Sequence, residues 1–394
     1  MKEPSRVVIT AMGCICSLGN TMAQCAETLF GDRILPAPPS LFRTEHLTPY
    51  PVFEVDFTPP QGDYYLRTAA LALHSATEAV MSSGWALDDL KGLRVGVCIG
   101  TTVGSAMNSE EFYQQLLESG HPSMSAIDRF LRSNPAQVVA RELGLSGPCQ
   151  TIVNACSSGA DAIGVGASWL RSGLCDVVLA GGADELSRVT YNGFISLMIT
   201  ADLPVMPFDA NRKGLNLGEG AAMVMLESES LARRRGATLH GFLAGYGSAC
   251  DAHHLTAPHP EGRGLKQALA VALQQASLNA SQISFVNAHG TGTPDNDRVE
   301  TRVLAEQLPD VPFFSTKGMT GHTLGAAGAI EAALTIACLN RGAIPASCGW
   351  SDPDPTFPCH PIAQPREISG EYALSQSLAF GGNNTVVIFR KGEA

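Results

Sequence analysis

The sequence predicts an α/β protein whose sheets are covered on both faces. Three observations carry that prediction. Continuous apolar or small-residue runs at 94–100, 176–183 and 283–288 lack the polar alternation of a half-exposed strand. Helical patterns separate those runs in strand–helix–strand order. Two Ala- and Gly-rich helices, one after Cys156 and one from Leu324 to Leu339, each follow a strand and turn and end near a glycine (Gly173, Gly342). Such a repeat suggests two similarly folded halves, 1–238 and 239–394.

Taken in order, residues 6–13 read as a strand and 20–31 as a helix. The Pro- and aromatic-rich stretch 35–64 reads as an irregular surface segment, and 65–83 as a helix with apolar spacing through Leu66, Leu73 and Val80. The strand 94–100 leaves through glycines into a partly polar, helical region, 104–146. Short apolar residues then lead to Cys156 as a buried strand would, and a helix runs from there to Gly173. Further strands follow at 176–183, 221–227 and 239–249, a helix at 262–278, and a strand at 283–288 that reaches His289. A helix covers 297–307, a short strand 313–317, and the last strands are 374–379 and 385–390.

With 394 residues, 45% of them hydrophobic, the chain can bury a large core. No apolar run is long enough to span a bilayer, and the start leads straight into a strand without a signal-peptide pattern, so a cytoplasmic location is expected. A net charge of −11 gives no general reason to bind nucleic acid. Eleven cysteines without an export signal point to reduced thiols. Cys14 and Cys16 form a C-x-C pair without a second pair and read as packing; His253, His254 and His259 also lack paired ligands, so no metal is expected.

Four junctions stand out. Cys156, His289, His322 and the Phe380 turn each follow a strand and sit among glycines or small residues. Strand ends in α/β folds converge on one crevice. At a strand-to-helix turn, free N–H groups and the helix dipole favour thiolate, so a lowered Cys156 pKa is expected.

These residues carry a family resemblance. Ala155-Cys156-Ser157-Ser158, Pro207-Phe208-Asp209, Gly218-Glu219-Gly220, Ala288-His289-Gly290-Thr291-Gly292-Thr293, Lys317, Gly321-His322 and Phe380-Gly381-Gly382-Asn383 occur in an order that resembles the decarboxylating β-ketoacyl-acyl-carrier-protein synthases. The resemblance spans nearly the whole chain. It implies a thiolase fold, two pseudo-repeated βαβαβαββ halves in five α-β-α-β-α layers, and acyltransferase activity.

By the same resemblance, Cys156 takes an acyl chain from a carrier's phosphopantetheine arm. His289 and His322 hydrogen-bond the malonyl thioester carbonyl as carbon dioxide leaves. Backbone N–H groups of Cys156 and Phe380 make the oxyanion hole, with Phe380 also a gate. Lys317 supports the histidines and pairs with Glu300. Thr291 and Thr293 bind pantetheine, and Val103 lines the acyl pocket. Arg67, Arg129, Arg132, Arg212 and Lys213 receive the acidic carrier protein. No resident cofactor is implied; the partners are the acyl carrier protein and a second subunit, either a copy of the chain or a chain-length-factor-like protein.

Ala379 and Asn384 depart from the glycine and the threonine or serine usual in fatty-acid enzymes. The stretch Asn154 to Asp161 is closer to type II polyketide and polyene ketosynthases. Elongation of polyketide or aryl-polyene-type chains is therefore the leading expectation, and fatty-acid elongation the alternative. A non-catalytic chain-length-factor-like subunit is disfavoured by the presence of Cys156, His289 and His322. A coenzyme A thiolase is disfavoured because no cysteine follows Cys359.

Overall fold

The computed structural model describes residues 6–104 and 110–393. Twelve strands are found among them: β1 (Val7–Cys16), β2 (Val95–Gly100), β3 (Cys149–Ile152), β4 (Val177–Asp184), β5 (Gly220–Ser228), β6 (Leu239–Cys250), β7 (Ile283–Asn287), β8 (Phe313–Phe314), β9 (Ala343–Ile344), β10 (Arg366–Glu367), β11 (Tyr372–Ala379) and β12 (Asn383–Glu393). Ten of them hydrogen-bond in the order β3-β2-β4-β5-β1-β6-β12-β11-β7-β8, and β9 pairs separately with β10.

That order is a topological repeat. Outward from the centre, β1-β5-β4-β2-β3 is matched by β6-β12-β11-β7-β8. In each half the outer pairings are parallel and the inner ones antiparallel. The two five-stranded halves meet through β1 and β6 over the short register Val7↔Leu243 to Ile9↔Gly241.

The helices Ser158–Arg171 and Ala327–Arg341 form the middle layer, each packed on strands of both halves. Arg67–Ser82 covers the outer face of the first half and Arg263–Ala276 that of the second, which completes five layers. The middle helices approach at backbone distance. A Cβ at Gly159 would lie 2.9 Å from the Ala329 backbone nitrogen, and one at Gly328 would lie 2.8 Å from Ala160 Cβ. Only glycine permits that approach.

Several local expectations are corrected. The run before Cys156 is not a buried strand: β3 has four residues, sits at the sheet edge and is exposed or half-buried. Among the described residues β3 pairs with β2 alone, so apolar composition alone misled. The 20–31 helix spans only Met22–Thr28, where the Thr21 hydroxyl caps its start. The 297–307 helix begins earlier, at Pro294, a residue suited to the first helical turn. The 313–317 strand stops at Phe314, and Lys317 opens a helical turn to Thr320.

Candidate active site

Cys156 stands on a turn that costs backbone strain. The preceding Ala155 adopts φ 48, a left-handed conformation unusual for a residue with a side chain. Side chains hold the turn in place. The Ser158 hydroxyl donates to the Ala155 carbonyl at 2.6 Å and accepts from Asn154 N–H at 2.8 Å. Asp161, one turn into the helix, accepts from the Asn154 amide, the Ser157 hydroxyl, the Tyr246 hydroxyl and the Thr385 hydroxyl. Tyr246 and Thr385 belong to the second half, so Asp161 fastens the nucleophile's turn across the molecule.

His289 follows β7 and His322 follows Gly321. At Gly321 φ is 64, and a Cβ would lie 2.6 Å from the Phe53 ring, so glycine is required for the turn to place His322. The His322 backbone is held by its own N–H donating to Asn216 O and by Gly218 N–H donating to its carbonyl. That contact gives the Gly218-Glu219-Gly220 motif a structural role. Likewise Phe208 N–H donates to Asp297, and the Asp209 carboxylate collects N–H groups of Asn211, Ser351 and Asp352.

The structure brings Cys156, His289 and His322 together. His322 Nε2 lies 3.1 Å from Cys156 Sγ, and the two imidazoles stand nearly perpendicular with centroids 5.2 Å apart. Their tautomers follow from their other nitrogens. His322 Nδ1 accepts the Leu324 N–H at 3.3 Å. His289 Nδ1 faces Lys317 Nζ at 3.1 Å, and an ammonium can only donate. Each ring therefore carries its proton on Nε2. Burial, then the Lys317 charge, holds both histidines well below their ordinary pKa, so both are neutral donors.

Two expectations fail here. Burial pushes the Cys156 thiol up to about 11, although the Phe380 and Cys156 N–H groups and the Lys317 charge act to lower it. The dipole argument omitted desolvation of the thiol on a residue that is 4% exposed. Second, Lys317 pairs with Glu331, not Glu300. Glu300 instead accepts the N–H groups of His289 (2.5 Å) and Gly290 (2.7 Å) and the amides of Asn296 and Gln376. It fixes the backbone that carries His289. Glu331 had a signal in the sequence: it is the only acid in an otherwise apolar, Ala-rich helix, and a buried charge needs a partner.

A cleft of about 890 Å³, counted out to its open mouth, reaches Cys156, His289, His322 and Phe380. Thr291 and Thr293 line it and share a 2.8 Å hydrogen bond. The Phe380 ring stacks on Phe194, with centroids 5.6 Å apart and planes at 14°. Val103 sits behind the cleft, in an apolar cluster with Phe194, Ile199 and Leu215, which line it.

The five proposed docking cations divide. Arg67 is committed to a buried pair with Glu219 at 2.6 Å and to the Val55 and Phe57 carbonyls. Arg212 is bound by Asp354 at 2.7 Å and lies over the Phe357 ring. Both serve the interior, because sequence shows a charge without showing its partner. Lys213 is exposed, next to Gly214, whose N–H donates to Gly292 O. Arg129 and Arg132 are half-buried on the Ser125–Arg132 helix, with Arg132 over the Tyr64 ring.

Comparison with known proteins gives this geometry its class. The β-ketoacyl synthase N-terminal domain matches residues 58–232 and the β-ketoacyl synthase C-terminal domain matches residues 240–351. The chain belongs to the β-ketoacyl synthase family of acyltransferases. It is 33% identical to the 3-oxoacyl-[acyl-carrier-protein] synthase 2 of Synechocystis, covering 99% of each chain. It is also 33% identical to the tetracenomycin polyketide synthase ketoacyl synthase alpha subunit of Streptomyces glaucescens, covering 98% of this chain and 97% of that one. Among solved structures, the ishigamide ketosynthase/chain length factor superposes with a TM-score of 0.94 at 32% identity, covering 98% of this chain and 99% of that one. No helix among the described residues is long and apolar enough to cross a membrane.

Proposed function

We propose that this chain is the condensing subunit of a type II polyketide or aryl-polyene-type system, acting on unsaturated acyl chains delivered by an acyl carrier protein. The observation that carries the reading is the pair of neutral Nε2–H donors, His289 and His322, lining one cleft with Cys156.

Cys156 attacks the carrier-bound acyl thioester and becomes the new thioester, and its proton leaves on the pantetheine thiol. Malonyl-carrier protein then enters past Thr291 and Thr293. As carbon dioxide departs, the two Nε2–H groups hold the enolate oxygen. The enolate carbon attacks the Cys156 thioester, and the N–H groups of Cys156 and Phe380 receive the oxyanion. Collapse releases a β-ketoacyl-carrier protein and expels Cys156 as a thiolate, which takes one proton from solvent to return to the resting thiol. No proton is taken from carbon, so two donors serve better than a base. The reaction needs no resident cofactor, since phosphopantetheine arrives on the carrier.

The flat Phe380–Phe194 stack in the wall of the cleft favours a planar, conjugated chain. A second subunit of the same fold would pair on the free edge of β3, beside the 57%-exposed Val153. Eleven free cysteines fit a reducing cytoplasm.

Intact-protein mass spectrometry tests the reading, with carriers bearing saturated or polyunsaturated chains and Cys156→Ala beside the wild type. Acylation that is lost in the variant and faster with polyunsaturated chains is expected. A preference for saturated chains would move the enzyme to fatty-acid elongation. No acylation, with or without a partner subunit, would leave a silent subunit.

A further inference from the structure

We propose that Cys14, Cys16 and Cys25 form a binding site for one soft, thiophilic metal ion of the copper(I) class, separate from the condensing site. The motif is C-x-C-x8-C within a single strand–turn–helix unit. Cys14 and Cys16 are two apart on β1 and so project from the same face. A tight turn, closed by reciprocal Cys16 and Gly19 backbone hydrogen bonds of 3.0 and 2.9 Å, reverses the chain. The capped Met22–Thr28 helix then lowers Cys25 onto that face.

The three sulfurs lie within 4.8 Å of one another, and Cys16 and Cys25 are 3.8 Å apart. That spacing decides between two chemistries. A disulfide holds its sulfurs about 2.05 Å apart. Metal–thiolate bonds of about 2.3 Å meeting at a trigonal ion hold them about 4 Å apart, close to what is found. Cys14 and Cys25 are 0% exposed and Cys16 is 1% exposed, so the site is dry.

Coordination number selects the ion. Among the described residues, no fourth histidine, cysteine or carboxylate joins the group. Structural zinc is almost always four-coordinate, whereas soft thiolates alone suit copper(I). Binding forms copper–sulfur bonds and sends thiol protons to solvent, without oxidation or reduction.

The test is anaerobic titration of the reduced protein with copper(I), supplied as its acetonitrile complex, in a Cys156→Ala background. Thiolate-to-copper charge-transfer absorbance gives stoichiometry, and X-ray absorption gives the sulfur count. One tightly held copper per chain with three sulfurs is expected, falling to none when Cys14, Cys16 and Cys25 are all replaced by serine. Exposed Cys149 and Cys250 remain in that variant and serve as its control. Equal copper uptake by both proteins would overturn the proposal, as would a two-sulfur or oxygen-rich spectrum. Should the triple variant fail to fold, single Cys25→Ala and the wild-type spectrum decide. A Cys16–Cys25 disulfide in peptide maps of the aerobically purified chain, with no copper uptake after reduction, would also overturn it.

Discussion

Lys317 Nζ sits 3.1 Å from His289 Nδ1 and only 2.5 Å from the His289 carbonyl oxygen, with Glu331 closing its other side. One buried ammonium thus sets both the tautomer and the position of an imidazole. Lys317→Ala should lower carbon dioxide release from malonyl-carrier protein up to about 100-fold, the scale of misplacing a reacting group by about 1 Å. Acylation of Cys156 should change by only a few-fold. Single-turnover assays of each half-reaction separate the two, and equal losses in both would contradict the assignment.

Glu331→Gln tests the same ammonium from its other side. It leaves the buried Lys317 without its ion-pair partner, a change that costs about 3–5 kcal/mol in comparable sites. The denaturant midpoint should fall accordingly, whereas Glu300→Gln should weaken decarboxylation through the His289 backbone without touching the ion pair.

Both histidines are held neutral by burial, which fixes the sign of the pH response. An unfolded chain protonates its histidines near about 6.5, so their share of stability is present above that value and is lost as pH falls below it. Activity needs the neutral rings, which persist lower. Decarboxylation should therefore stay flat between about pH 8 and about pH 6.5. A rate that halves near the ordinary histidine value would show that a ring titrates normally.

The resting Cys156 thiol, pushed up to about 11, should be slow to alkylate at neutral pH. Below the pKa, the thiolate fraction and the iodoacetamide rate rise about tenfold per pH unit. Peptide mapping would separate Cys156 from exposed Cys149 and Cys250. A plateau already reached at neutral pH would mean that the helix dipole outweighs burial.

Asp161 accepts four hydrogen bonds that join the nucleophile's turn to Tyr246 and Thr385. Asp161→Ala should cost about 3 kcal/mol and Tyr246→Phe about 1 kcal/mol, read as shifts in denaturant midpoint. Equal effects would show that the bond to the second half dominates the hub.

Strand and helix positions were legible because burial on both faces writes itself as continuous apolar runs, as in β2 and β4. The junction residues were legible because turns of positive φ demand glycine beside them, as at Gly290 and Gly321. Charge partners were not. Arg67 and Arg212 find Glu219 and Asp354 across 152 and 142 residues, distances over which one sequence carries no pairing signal. The thiol's acidity was misjudged for a related reason: the helix is local, but the low-dielectric cover comes from the rest of the fold.

The glycine contact between the two middle helices also bears on how the enzyme can change. Cys156 and His322 are placed by main chain against main chain, at Gly159, Gly325 and Gly328, where almost any added atom collides. Substitution cannot retune that spacing gradually. The rim is built differently, from side chains such as Phe194, Leu197 and Ile199 that can be exchanged singly. A lineage with this architecture can inherit its chemistry unaltered while its choice of acyl chain drifts, so new products should arise from the rim long before the reaction itself changes.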